Sequence, residues 1–162
     1  MEFQKYLAAW IAKEAAYSAM HRTKPMTLSY GLNDSPVGLC AWIIEKFRGW
    51  SDNEGKIESI FSKQELLSNV TLYWVTQSIH SSIRIYNENS KMPLVFGKHD
   101  FVRVPVGYAK FPKEIPTPPR ILIEKGFNIQ HWTEMPKGGH FAALEQPVLL
   151  ANDIAEFFKE IS

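Results

Sequence analysis

The 162 residues include 18 basic and 17 acidic side chains, which give a formal net charge of +1 and fit one globular domain. No basic run indicates a nucleic-acid partner, and no apolar run approaches the roughly 20 residues of a membrane span. Charged residues interrupt any signal-peptide pattern near the N-terminus, and the single cysteine, Cys40, excludes an internal disulfide and a cysteine metal site. We therefore expect a cytoplasmic protein without a cofactor or a structural metal.

The first part of the chain has the pattern of amphipathic helices. Apolar residues at helical spacing predict a helix over residues 2–19, which ends before Pro25 because the residue before a proline avoids the α region. Tyr17, near that end, is by itself more simply a packing residue than a functional one. Asn33-Asp34-Ser35-Pro36 places capping side chains before a proline, so a second helix is predicted from there to about Phe47.

A polar loop is predicted over residues 48–61, where insertions should be tolerated. Ser62 and Glu65 then form a capping box, which predicts the start of a long helix. The apolar stripe of that helix ends at Tyr86, which the residues alone again favour as a packing side chain.

The last third of the chain alternates strand-like and helical segments. Apolar residues predict strands over 102–106 and 127–135, and the residues between them are long enough for the crossover of a parallel pair. Residues 120–126 fit a short helical turn or part of that crossover. An amphipathic pattern predicts one final helix over residues 142–161.

Gly138-Gly139-His140 lies between the second strand and the final helix. Two glycines allow a sharp turn, and a histidine held at the rim of a sheet is well placed to act as a general base. A plain turn that carries one polar residue is the simpler alternative. A base of this kind needs a carboxylate to orient its imidazole. Glu114, in the loop after the first strand, is favoured over Glu134, because strand alternation could direct Glu134 to solvent.

The remaining histidines carry weaker signals. His21 and His80 lie in the helical part of the chain and are predicted to be solvated or to line a substrate cleft. His131 has no partner at metal-ligand spacing. A metal site made of His131, Glu134 and His140 conflicts with the alternation of side chains along a strand, so no metal site is predicted.

The segment Gly138-Gly139-His140-Phe141-Ala142-Ala143, followed by Glu145-Gln146-Pro147, resembles the catalytic-histidine motif of the α/β-hydrolase epoxide hydrolases, in their microsomal and juvenile-hormone-type branch. The resemblance extends over nearly the whole chain but covers only the C-terminal part of such an enzyme. It implies a partial α/β-hydrolase fold. Residues 1–90 would be a portion of the helical cap with its return helices, and residues 91–162 the C-terminal strands and helix of the core.

The resemblance also implies a reaction. In the family, an aspartate attacks an epoxide carbon to form an alkyl-enzyme ester, and two cap tyrosines donate hydrogen bonds to the epoxide oxygen. Tyr17 and Tyr86 match those tyrosines. A histidine, matched by His140, then activates a water that hydrolyses the ester to a vicinal diol, and Glu114 matches the acid that orients it.

The 162 residues contain no strand–turn–helix elbow of the Gly-x-nucleophile-x-Gly kind and no His-Gly-x-Pro segment. Asp34 is better explained as a helix cap, Asp153 as part of a solvated helix face, and Asp52 and Asp100 lie in the wrong context. The chain is therefore expected to be inactive alone.

Three interpretations follow from the missing nucleophile. The chain could need a second chain that bears the N-terminal half, or it could be a non-catalytic binding or interaction protein. It could also retain slow hydrolysis of activated esters by His140 and Glu114. The expected substrate is a small apolar epoxide, and the exposed edge of a short sheet predicts self-association or pairing with the missing half.

Overall fold

The computed structural model describes residues 2–161, which form two compact units. The first unit extends to Lys46 and includes Ser62–Leu94, and the second comprises Phe47–Phe61 and the residues from Val95 onward. Among the described residues, no helix is both long enough and apolar enough to span a membrane. The assignment of residues 1–90 to a cap and 91–162 to a core stays a prediction.

The helices of the first part of the chain are α1 (Glu2–Glu14), α2 (Ala16–Thr23), α3 (Pro25–Asp34), α4 (Pro36–Trp50), α5 (Lys63–Thr76) and α6 (Ile79–Lys91). The core of the first unit consists of buried side chains from α3 to α6, namely Leu32, Leu39, Val70, Ile79 and Ile83. Burial of such aliphatic side chains is the main term that holds these helices together.

Several helix boundaries differ from the predicted ones. Pro25 follows the end of α2 and is itself the first residue of α3. At that position its missing N–H removes no helical hydrogen bond. The cap of α4 is Ser35, whose hydroxyl accepts the Gly38 N–H at 3.1 Å, whereas Asp34 is the last residue of α3. The prediction that Asp34 caps this helix was therefore wrong.

The predicted capping box is confirmed, because Ser62 and Glu65 exchange hydrogen bonds between their side chains and backbones. The long helix expected after it is divided into α5 and α6. The division falls at Gln77, which has a left-handed φ of 52°. A non-glycine residue in this conformation is uncommon, and the local sequence contains no signal that predicts it.

The second unit contains β1 (Val102–Lys110), β2 (Phe127–Glu134) and the helices α7 (Arg120–Ile123), α8 (Ala142–Glu145) and α9 (Pro147–Glu160). The two strands pair in parallel, as predicted, with Gly107 opposite His131 and Lys110 opposite Glu134. The predicted final helix is interrupted before Pro147, which begins α9, because the residue preceding a proline avoids the α region.

An ionic cluster joins α9 to β2. The imidazole of His131 contacts Asp153 through Nε2 at 2.8 Å and Glu160 through Nδ1 at 2.9 Å. Asp153 is 9% exposed, so the expectation that it lies on a solvated face was wrong. The hydrogen bonds to Asp153 and Glu160 raise the pKa of His131, because they favour the imidazolium.

We predict that this cluster makes the stability of the chain depend on pH. The folded pKa of His131 lies above its unfolded value of roughly 6.5, so its contribution is complete below that pH and is lost as the pH rises through the folded pKa. His131→Leu should lower the free energy of unfolding by about 1–3 kcal/mol at acid pH and by less at alkaline pH. Urea denaturation across this pH range measures both effects. His99→Leu, at an exposed histidine, is the control, and an equal loss at every pH in His131→Leu would contradict the prediction.

Candidate active site

The turn after β2 brings the backbone of His140 close to the C-terminal end of α4. Gly138 has a φ of +111°, a conformation that side chains rarely adopt. A Cβ on Gly139 would lie 2.5 Å from the carbonyl oxygen of Trp50, so only glycine fits there. The N–H of His140 donates to the same carbonyl oxygen at 2.9 Å. The two glycines therefore allow the close approach that places His140.

The imidazole of His140 is paired with Glu114, which lies in the loop after β1. Nδ1 of His140 and Oε1 of Glu114 are 2.6 Å apart, and the side chains are 35% and 25% exposed. Glu134, the alternative acid, lies elsewhere, with its carboxylate bound to Lys110 and to the indole N–H of Trp132. The contact leaves Nε2 as the ring nitrogen that is free to take a proton from a water.

The charge state of each partner depends on the other. The hydrogen bond to Glu114 raises the pKa of His140, and this effect outweighs burial, which lowers it. The charge of Glu145 raises it further. Burial by itself would raise the pKa of Glu114, but the hydrogen bonds from His140 and from the Ile115 N–H hold it below its ordinary value. An ionised carboxylate that stabilises the imidazolium is what a histidine base requires.

We predict that Glu114→Gln lowers the pKa of His140, because the substitution removes both the charge and the carboxylate acceptor. The shift is measured by following the imidazole resonances of His140 by NMR as a function of pH. Glu124→Gln is the control, since Glu124 pairs with Arg120 on the exposed α7. An unchanged titration of His140 in Glu114→Gln would contradict the assignment of Glu114 as its partner.

Tyr17 and Tyr86 lie together in the first unit, on α2 and α6. Their rings are 5.9 Å apart between centroids and meet edge to face. Burial, with a smaller contribution from the neighbouring phenol of Tyr86, raises the pKa of Tyr17 to about 12. The phenol of Tyr17 therefore stays protonated at neutral pH and can act as a hydrogen-bond donor. The pair of His140 and Glu114 belongs to the second unit.

His21 completes an aromatic cluster around the two tyrosines. Its ring lies 5.4 Å from that of Tyr17 and 4.8 Å from that of Tyr86, and the indole N–H of Trp42 points to its Nε2 at 3.3 Å. His21 is only 7% exposed, so the solvated alternative predicted for it was wrong, and the alternative that it lines a substrate cleft stays a prediction. Burial, with the nearby charge of Lys46, lowers its pKa and keeps the ring neutral. His21 lies four residues after Tyr17, one helical turn away, and this spacing is the sequence signal that could have placed the two side chains together.

His80 is also held within the first unit. Its Nδ1 lies 2.8 Å from the hydroxyl of Ser29, a residue that is 1% exposed. Among residues 2–161, no three His, Cys, Asp or Glu side chains are arranged to hold a metal ion.

The comparisons with known proteins agree on one family. No protein-family model matches the chain. The chain is 44% identical over 156 residues to epoxide hydrolase 1 of Oryctolagus cuniculus, an alignment that covers 91% of this chain and 34% of that protein. The chain thus spans about a third of the length of the curated relatives it matches.

Two solved structures share the fold. The juvenile hormone epoxide hydrolase of Bombyx mori matches with a TM-score of 0.89 and 29% identity, over 97% of this chain and 39% of that one. The epoxide hydrolase of Aspergillus niger matches with a TM-score of 0.82 and 31% identity, over 99% and 40%. These likenesses confirm the predicted partial α/β-hydrolase fold. The chain is therefore similar, over nearly its whole length, to the C-terminal part of the α/β-hydrolase-fold epoxide hydrolases, among them the juvenile hormone epoxide hydrolases.

Proposed function

We propose that the chain supplies the general base, its orienting acid and two hydrogen-bond donors for the hydrolysis of an epoxide to a vicinal diol. The observation that carries the proposal is the 2.6 Å contact between His140 and Glu114, on an imidazole that remains one-third exposed. Since the 162 residues contain no nucleophile elbow, the carboxylate that attacks the epoxide would come from a segment outside them.

In the first step, that carboxylate oxygen forms a bond to an epoxide carbon and the strained carbon–oxygen bond breaks. The bonding electron pair stays on the epoxide oxygen, which becomes negatively charged. Tyr17 and Tyr86 would donate hydrogen bonds to this oxygen, where they stabilise charge that is absent from the free substrate. The product of the step is an alkyl-enzyme ester.

In the second step, a water attacks the ester and gives a proton to Nε2 of His140, whose Nδ1 is held by Glu114. The tetrahedral intermediate collapses, and the diol oxygen leaves and takes the proton held on Nε2 of His140. The restored carboxyl group loses its proton, which balances the proton that the oxyanion of the first step takes up. The sum of both steps is one epoxide and one water converted to one diol. The raised pKa of His140 suits the transient imidazolium of this step.

The substrate class follows from the cluster around the two phenols. Tyr17, His21, Trp42 and Tyr86 present aromatic rings and few charges, which favours a small apolar epoxide over a polar one. We also propose that the nucleophile-bearing segment pairs with the sheet. Strands β1 and β2 form a two-stranded sheet in the described residues, and the outer edge of such a sheet can accept another strand.

The proposal is tested with styrene oxide and three preparations. These are the chain alone, the chain mixed with the non-matching N-terminal segment of the Aspergillus niger enzyme, and a fusion of that segment to the chain. Diol from the mixture or the fusion, but not from the chain alone, would support the proposal. Diol from the chain alone would place the nucleophile within the 162 residues. No diol from any preparation, with the fusion folded, would favour a non-catalytic binding protein.

A second activity follows from the same pair of residues. His140 and Glu114 could hydrolyse activated esters by general-base catalysis without a nucleophile, because the imidazole is exposed. The assay is p-nitrophenyl acetate cleavage by the chain alone. Turnover that persists in His140→Ala would dismiss this activity.

A further inference from the structure

The turn that carries His140 is bound to a second loop, residues 51–55, by two carboxylates outside the proposed catalytic set. Oδ2 of Asp52 accepts the N–H of Gly138 at 2.9 Å. Glu145, on α8, accepts the N–H of Phe141 through Oε1 at 2.9 Å and the N–H of Asp52 through Oε2 at 2.8 Å. The backbone N–H groups of Gly138 and Phe141, which flank His140, therefore each donate to a carboxylate.

The loop that provides Asp52 is well ordered by its own hydrogen bonds. The amide of Asn53 donates to the hydroxyl of Ser51 and to the carbonyl of Arg48, both at 2.7 Å, and its Oδ1 accepts the Gly55 N–H. Ser51 and Asn53 are 9% and 4% exposed. An insertion near Asp52 would disrupt these hydrogen bonds, and the predicted tolerance of residues 48–61 to insertions stays a prediction.

Glu145 is unusual for an acidic residue because it is 8% exposed and, within residues 2–161, forms no ion pair with a lysine or arginine. A buried carboxylate is costly unless hydrogen bonds satisfy its oxygens, and both oxygens of Glu145 accept a backbone N–H. The two oxygens of a carboxylate allow one side chain to accept from two separate backbone donors at once. The carboxylate of Glu145 therefore joins two separate backbone segments beside His140.

We propose that Asp52 and Glu145 are positioning residues, which hold the backbone of residues 138–141 and thereby fix the imidazole of His140 against Glu114. The proposal rests on the proposed role of His140 as the base. The same turn is tied to the loop of Glu114, because the N–H of Lys113 donates to the Gly138 carbonyl at 3.0 Å. The base and its acid are thus joined through the backbone as well as through the 2.6 Å side-chain contact.

Position matters because a base works only within hydrogen-bond reach of the water it activates, and a displacement of about 1 Å can cost about 10²-fold in rate. Glu145 has a second effect, since its charge adds to that of Glu114 in raising the pKa of His140. Asp52 accepts the N–H of Gly138, whereas the charges that raise the pKa of His140 are those of Glu114 and Glu145. The two carboxylates can therefore be distinguished by experiment.

The test uses Glu145→Gln and Asp52→Ala in the chain itself, followed by NMR. Glutamine keeps the length of Glu145 but offers one acceptor in place of two. We expect hydrogen exchange of the Phe141 or Asp52 amide to accelerate by about tenfold, the factor that one lost hydrogen bond provides, and the pKa of His140 to fall. Asp52→Ala should accelerate hydrogen exchange of the Gly138 amide by a similar factor. It should change the pKa of His140 less than Glu145→Gln does.

Glu156→Gln, at an exposed position of α9, is the matched control and should change neither readout. Unchanged exchange at residues 138–141 and an unchanged titration of His140 in Glu145→Gln would overturn the proposal. If a variant fails to fold, hydrogen exchange is measured on the unaltered chain instead. The Asp52, Gly138 and Phe141 amides should then all be protected relative to exposed amides, and unprotected amides at these positions would overturn the proposal.

These readouts do not depend on turnover, so the two proposals can fail separately. If the fusion described above forms no diol, the positioning of His140 is still measured by exchange and titration. If diol forms and requires His140, the fusion carrying Glu145→Gln should lose kcat by about tenfold to 10²-fold with little change in KM. A loss confined to KM would mean that Glu145 affects substrate binding rather than the base.

Discussion

His140→Ala is expected to reduce steady-state diol formation by the fusion protein by about 10²–10⁴-fold, the range that a positioned general base contributes. The reason is specific to the second step of the reaction. Among residues 2–161, His140 is the side chain hydrogen-bonded to Glu114, so its removal takes away the group that would accept the proton of the attacking water. Alkylation of the nucleophile does not use His140, so the ester should still form and then persist.

The measurement therefore has two parts. Diol release is followed by chromatography, and the covalent ester is followed by intact-protein mass after a short exposure to styrene oxide. His99→Ala is the control, because His99 is exposed and lies outside the proposed site. Full turnover by His140→Ala, or a variant that is slow but never accumulates the ester, would contradict the role of His140 as the base of hydrolysis.

Replacing both phenols, in Tyr17→Phe with Tyr86→Phe, is expected to have the opposite signature. Loss of one donor to a developing oxyanion typically costs about 10²–10³-fold, and the double variant should lose more than either single one. The affected step is ring opening, so no ester should accumulate. Phenylalanine keeps the edge-to-face packing of the two rings, which lie 5.9 Å apart, so the fold should be retained.

The double variant is compared with Tyr6→Phe, which changes a phenol that is 56% exposed on α1. Values of kcat/KM for diol formation and the yield of ester are measured in parallel. Ester accumulation in the double variant would place the tyrosines in the second step, and an unchanged kcat/KM would remove them from the reaction. Together with His140→Ala, this variant separates the roles assigned to the two units of the chain.

Several features of the structure were determined by local sequence alone. The capping box of Ser62 and Glu65, the extended conformation of each strand and the left-handed turn at Gly138 each depend on residues within a few positions of one another. Such features are predictable because backbone hydrogen bonding and the conformational freedom of glycine are local properties. The break between α8 and α9 at Pro147 could also have been predicted from the sequence, although one continuous helix was predicted there.

Other features depend on tertiary contacts. The pairing of His140 with Glu114 joins residues 26 positions apart, and Glu145 reaches Asp52 across 93 positions. The burial of His21 likewise depends on Trp42, which lies on another helix. Sequence patterns show which side chains could serve as base or acid. Which of them come within about 3 Å is decided only when strands and helices pack, because that distance depends on the register and close approach of whole elements.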